Sequence, residues 1–173
     1  MFKKIIVPLD GSALAEHALE PALELARCSA AEVILLRVIL LEDVAKRVFG
    51  GYRYRWEGWE SSLAQQHYEA ERYLSSVLMS RACTGLRIHP KVIVASPAQD
   101  VADTIIDVVD QDAADLIVMA THGRSGLQRW WYGSVSEKVI RSGCCCIYPH
   151  GTLEGSPLFA GHRTVPLNGN SIA

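Results

Sequence analysis

Short β-branched apolar runs alternate with segments of helical period along most of this chain, and that alternation narrows its fold more than any other feature. The runs are "KKIIV" (residues 3–7), "EVILLRVI" (32–39), "KVIVAS" (91–96), "DLIVMA" (115–120) and "CCCIY" (144–148). They are short and continuously apolar, as strands covered on both faces are. Helical spacing fills the gaps. Ser12 is placed to cap a helix whose apolar positions are Ala15, Ala18, Leu19, Ala22, Leu23 and Ala26. Pro21 lacks an amide hydrogen and crowds the carbonyl of His17, so a kink is predicted there. Further helices are predicted over 61–81, over "PAQDVADTIIDVVDQ" with Pro97 in its first turn, and over "SVSEKVIRSG". Strand and helix in turn predict an α/β fold, a five-stranded parallel sheet with helices on both faces.

The length of 173 residues suits one domain. We place it at 1–150, followed by an aperiodic, flexible tail over 151–173 rich in glycine and proline. Seventeen Lys and Arg against nineteen Asp and Glu leave a net charge of −2, which argues against nucleic acid or an anionic membrane as a partner. The opening "MFKKIIVPLDGS" carries too short an apolar run for a secretory signal, and "VILLRVILL" is broken by Arg37, to which we assign no role. A cytoplasmic protein is expected. Its five cysteines include no C-x-x-C pair and read as small buried apolar side chains.

Chemistry converges on the carboxyl ends of the strands, where a doubly wound sheet receives its ligands. "VPLDGS" brings Pro8, Leu9 and Asp10 out of the first strand, and Val38 lies near the end of the second. "ATHGRSGLQRWWYGSVSEK" leaves the fourth strand at Ala120, Thr121 and His122 and enters a helix at Ser134, Val135 and Ser136. Gly123 and Gly133 permit close backbone approach to an anion, Arg124 and Arg129 can neutralise it, and the helix start favours phosphate. The chain has no G-x-x-x-x-G-K-[ST], no G-x-G-x-x-G and no G-x-S-x-G, which removes Walker-type, dinucleotide and hydrolase-elbow readings.

The loop resembles that of the universal stress proteins, whose nucleotide-binding members carry G-x-x-G-x(9)-G-[ST] after the fourth strand. Gly123, nine residues, then Gly133 and Ser134 match it, with Ala120 in place of the first glycine. "VPLDGS" and "EVILLRV" are similar to the family's first and second strands, and the likeness spans about residues 1–148. The resemblance implies a Rossmann-like fold of the adenine-nucleotide alpha hydrolase kind. It implies ATP with magnesium as ligand, adenine and ribose near Asp10, the base against Val38, and slow or no hydrolysis. It also implies a stress-response switch and a homodimer paired through the fifth strand, where Pro149 is a departure. Two rival functions are a nucleotide-free module for binding another protein and a slow ATPase. Of Trp130 and Trp131, one is read as packing the loop and the other as exposed, and the aromatic excursion over 43–60 as a lid over it, a contact with a second subunit or a satellite cluster under a long loop.

Overall fold

The computed structural model describes residues 1–41, 59–80, 85–96, 99–121, 134–142, 145–149 and 158–160. In chain order the elements are β1 (Lys4–Pro8), α1 (Ala13–Glu16), α2 (Leu19–Ser29), β2 (Glu32–Ile39), α3 (Trp59–Ser80), β3 (Arg87–Val94), α4 (Val101–Gln111), β4 (Leu116–Thr121), α5 (Ser134–Arg141), β5 (Cys145–Pro149) and β6 (Leu158–Ala160). The strands form one sheet in the order β3-β2-β1-β4-β5-β6. The first five run parallel, and β6 pairs antiparallel with β5. The α/β fold and its parallel sheet are as the sequence predicts. Among the described residues no helix is long and apolar enough to cross a membrane.

Period two explains why the strands are continuously apolar. Ile5, Val7, Val33, Leu35, Leu116 and Val118 point into one core, closed by Ala22 and Ala26 of α2 and Leu74 and Val77 of α3. Ile6, Ile34, Leu36, Ile117 and Met119 point into the other, closed by Ile105, Val108 and Val109 of α4 and Val139 of α5. Neither face of the central strands meets water, so neither tolerates polar alternation.

Four sequence expectations are corrected at prolines and at a cysteine. The helix from Ser12 does not bend at Pro21. It stops at Glu16, and α2 begins afresh at Leu19. The first helical bond of α2 runs from the Ala22 amide to the Ala18 carbonyl at 3.1 Å, so Pro21 falls in the turn whose amides need no partner. Strand β3 begins at Arg87 and runs through Pro90, which an edge strand accommodates because an imino nitrogen can face away from the ladder. Helix α4 starts at Val101 with Asp100 as its cap, not at Pro97, which lies outside the described residues. The Asp100 carboxylate accepts from the Asp103 amide at 2.9 Å and replaces the proline as the start signal. Cys28 is exposed rather than buried, because it lies off the α2 face that carries Leu19, Ala22, Leu23 and Ala26.

The aperiodic end of the chain contributes β6, which the sequence does not announce. Its pairs are Cys145 with Ala160, Cys146 with Phe159 and Ile147 with Leu158. The ladder edge of β5 that the resemblance gives to a second copy is thereby taken within the chain.

Candidate functional site

The chain winds one way from β1 to β2 and β3, then crosses to the other side of β1 to lay down β4. At that reversal the connections leaving β1 and β4 part company, and a crevice opens beyond their carboxyl ends. It holds a cleft of about 450 Å³, a size that suits a small ligand. Of the residues singled out in the sequence, Pro8, Leu9, Asp10, Val38, Ala120, Ser134, Val135 and Ser136 line it. Thr121 ends β4 beside them. His122, Gly123, Arg124 and Gly133 lie outside the described residues, as do Arg129, Trp130, Trp131 and residues 43–58 of the excursion, whose last two residues, Trp59 and Glu60, open α3.

The β1–α1 turn is built by hydrogen bonds rather than by packing. Leu9 is the last residue to touch the ladder, its amide donating to the Leu36 carbonyl at 2.8 Å. Gly11 then takes φ +86°, the left-handed region in which a side chain would be strained. This folds Ser12 back on Asp10. The Ser12 amide and hydroxyl both donate to Asp10 Oδ1, at 2.8 and 2.6 Å. The same hydroxyl accepts from the Ala15 amide at 3.1 Å and so caps α1. Burial raises the Asp10 carboxyl, but the two bonds from Ser12 and the Arg37 guanidinium outweigh it and hold it below the usual carboxylate value. An anionic acceptor therefore sits at the mouth of the cleft at any physiological pH.

The walls are apolar and come from both sides of the sheet. Leu14 and Ala15 of α1 close one side, Val101 and Ile105 of α4 the other, with Leu36, Val38, Leu40 and Met119 between. Helix α5 presents its first turn, Ser134, Val135 and Ser136, to the same space. Its free amides and dipole make that end favourable to negative charge. Lys138, one turn on, donates to Asp100 at 3.0 Å and bridges Asp103 at 2.5 Å, which ties α5 to the start of α4.

Sequence reasoning missed part of this lining. Val101 and Ile105 belong to a helix with an obvious apolar face, and nothing local says that its first turn looks into a cleft. Ser12 is legible as a cap but not as the clamp on Asp10. Arg37 carried a signal that was passed over, a lone charge inside a strand otherwise buried on both faces.

A model of the universal stress protein family matches residues 1–146 of the chain. The chain belongs to the universal stress protein family. It is 33% identical over 145 residues to the universal stress protein MJ0531 of Methanocaldococcus jannaschii, a match that covers 84% of this chain and 79% of that one. The solved structure of MJ0577, from the same organism, superposes with a TM-score of 0.68 at 25% identity, covering 88% of this chain and 99% of the other. A universal stress protein solved in complex with cAMP shares the fold, with a TM-score of 0.61 at 19% identity and coverage of 87% and 99%.

Proposed function

We propose that this chain is a cytoplasmic, ATP-binding universal stress protein that acts as a nucleotide-dependent switch, with slow or no hydrolysis. The observation that carries the reading is the cleft at the sheet's reversal, where a carboxylate held ionised, an apolar bed and the first turn of a helix face one space. A nucleotide needs these three surfaces in that combination. Val38, Met119 and Ile105 supply apolar contact for a base. Asp10 accepts hydrogen bonds from ribose hydroxyls or an exocyclic amine. Ser134, Val135 and Ser136 receive the phosphates at the head of α5. Ala120, Thr121, His122, Gly123, Arg124 and Gly133 complete the phosphate side, and Pro8 and Leu9 complete the floor.

ATP supplies a triphosphate charge when bound, and magnesium enters with it. Among the described lining residues Asp10 is the one carboxylate, so it is the side chain that would be available to a magnesium ion entering with the phosphates. A switch requires that bound nucleotide change the surface offered to a protein partner or a second copy.

Val38→Trp tests the reading by filling the bed. Titration calorimetry of ATP with magnesium should show binding to the wild type and at least about a tenfold loss in the variant, since a blocked pocket forfeits more than about 1.4 kcal/mol. Equal binding by both proteins would remove the base from this cleft.

A further inference from the structure

One cation inside the cleft has no part in the nucleotide assignments above. Arg37 is half-buried on β2, lines the cleft, and is the only positively charged residue among its described lining. Its Nη1 donates to the Leu9 carbonyl at 3.2 Å. That carbonyl needs a partner from outside the ladder: β1 ends at Pro8, and the chain then turns through Gly11. A Cβ at Gly11 would lie 4.0 Å from the same Nη1, so the guanidinium rests against the turn itself.

Three other polar groups share its neighbourhood. Asp10 follows the anchored carbonyl directly and feels the guanidinium's charge. On the far side, Tyr73 of α3 donates to Glu16 of α1 at 3.1 Å, and Tyr73 too feels Arg37. Among the described residues, Asp10 on the turn and Tyr73 on α3 are thus the titratable groups that feel Arg37, with Glu16 of α1 one hydrogen bond further on, at Tyr73. One side chain on β2 holds the Leu9 carbonyl and lends its charge to Asp10, the carboxylate that lines the cleft.

We propose that Arg37 is a positioning residue of the cleft, holding the peptide ahead of Asp10 so that the Asp10 carboxylate stands where a ligand meets it. Ser12 fixes the carboxylate within the turn, but a turn with a glycine beside it would otherwise sample many directions as a unit, and a ligand would have to order it on binding. The Leu9 carbonyl, anchored to β2, removes that freedom beforehand. The assignment rests on the nucleotide reading for its ligand, but not for its geometry.

The experiment compares wild type with Arg37→Met, which keeps the aliphatic stem, and Arg37→Lys, which keeps the charge. In the ligand-free proteins the Asp10 carboxyl is followed by carbon-detected NMR as pH falls. It should titrate at higher pH in Arg37→Met than in wild type, and Arg37→Lys should return it toward the wild-type value. ATP affinity should fall about tenfold in Arg37→Met, the size expected when a hydrogen bond from a charged donor is lost, and less in Arg37→Lys. An Asp10 titration and an affinity both unchanged in Arg37→Met would overturn the assignment, even with a lowered Tm, because a purely structural role predicts that combination. A wild type that binds no ATP defeats the nucleotide reading instead, and the ligand-free titration then decides the Arg37 assignment alone.

Discussion

A single hydroxyl at Ser12 both caps α1 and donates to Asp10, so the start of a helix and the ionisation of a carboxylate depend on the same atom. Close by, Tyr73 responds to the opposite environment. Burial, then the charge and hydrogen bond of Glu16, push its phenol up from 10.0 to about 12. The folded state therefore keeps this proton where the unfolded chain has begun to release it. Stability from Tyr73 is fully present below about pH 10 and is lost as pH rises toward 12. Denaturant midpoints for wild type and Tyr73→Phe, measured across that window, should converge with rising pH, the wild type losing more. Parallel curves would show that Tyr73 ionises as freely in the fold as outside it. Asp10 was legible in the sequence because a carboxylate just past a buried strand has few other places to go. Arg37 was not, because a charge in a strand reads alike whether it faces solvent or a cleft. Only the turn at Gly11, which brings the Leu9 carbonyl over it, separates the two.

At the scale of elements, the strands were legible to within a few residues, as were the helix starts after Ser12, near residue 61 and at Ser134, whereas the restart at Leu19 and the start of α4 were not. Hydrophobic period survives any tertiary context that buries both sheet faces, whereas a proline marks a boundary without saying on which side it falls. Pro21 stands inside the first turn of α2, Pro90 inside β3, and Pro97 ahead of α4. Strand β6 had no signal because three residues cannot display a period. Two element ends carry strain that the sequence hides. Ala30 closes α2 at φ 54°, and Ala113 follows α4 at φ 49°, both in the left-handed region where an alanine Cβ crowds the backbone. Both are exposed, so a smaller side chain removes no packing. Ala30→Gly and Ala113→Gly should each stabilise the protein by about 0.5–1 kcal/mol in urea unfolding, net of glycine's greater freedom in the unfolded chain. A destabilised variant would mean that the unfolded-state entropy outweighs the relieved strain.

The molecule as a whole is arranged around one topological event, the reversal of strand order between β1 and β4. Two cores on opposite faces fix the central strands, and the fixed strands leave their carboxyl ends as the place where side chains of β2, α1, α4 and α5 meet. The sequence allowed this meeting to be foreseen in outline, since alternation implies a doubly wound sheet and such a sheet implies the crevice. It could not show which first turns of which helices would line it, because that depends on how α4 and α5 are docked. The tie from Lys138 to Asp100 and Asp103 is one such docking contact, made between residues nearly forty positions apart.

The central claim, that this cleft holds ATP, is tested most directly by thermal unfolding of nucleotide-free protein with and without ATP and magnesium. Ligand at about 100 times its dissociation constant adds about 2.7 kcal/mol to the folded state. For a domain of this size the Tm should rise by about 5–10 °C. An unchanged Tm at millimolar ATP would contradict the account and leave the cleft to a different partner.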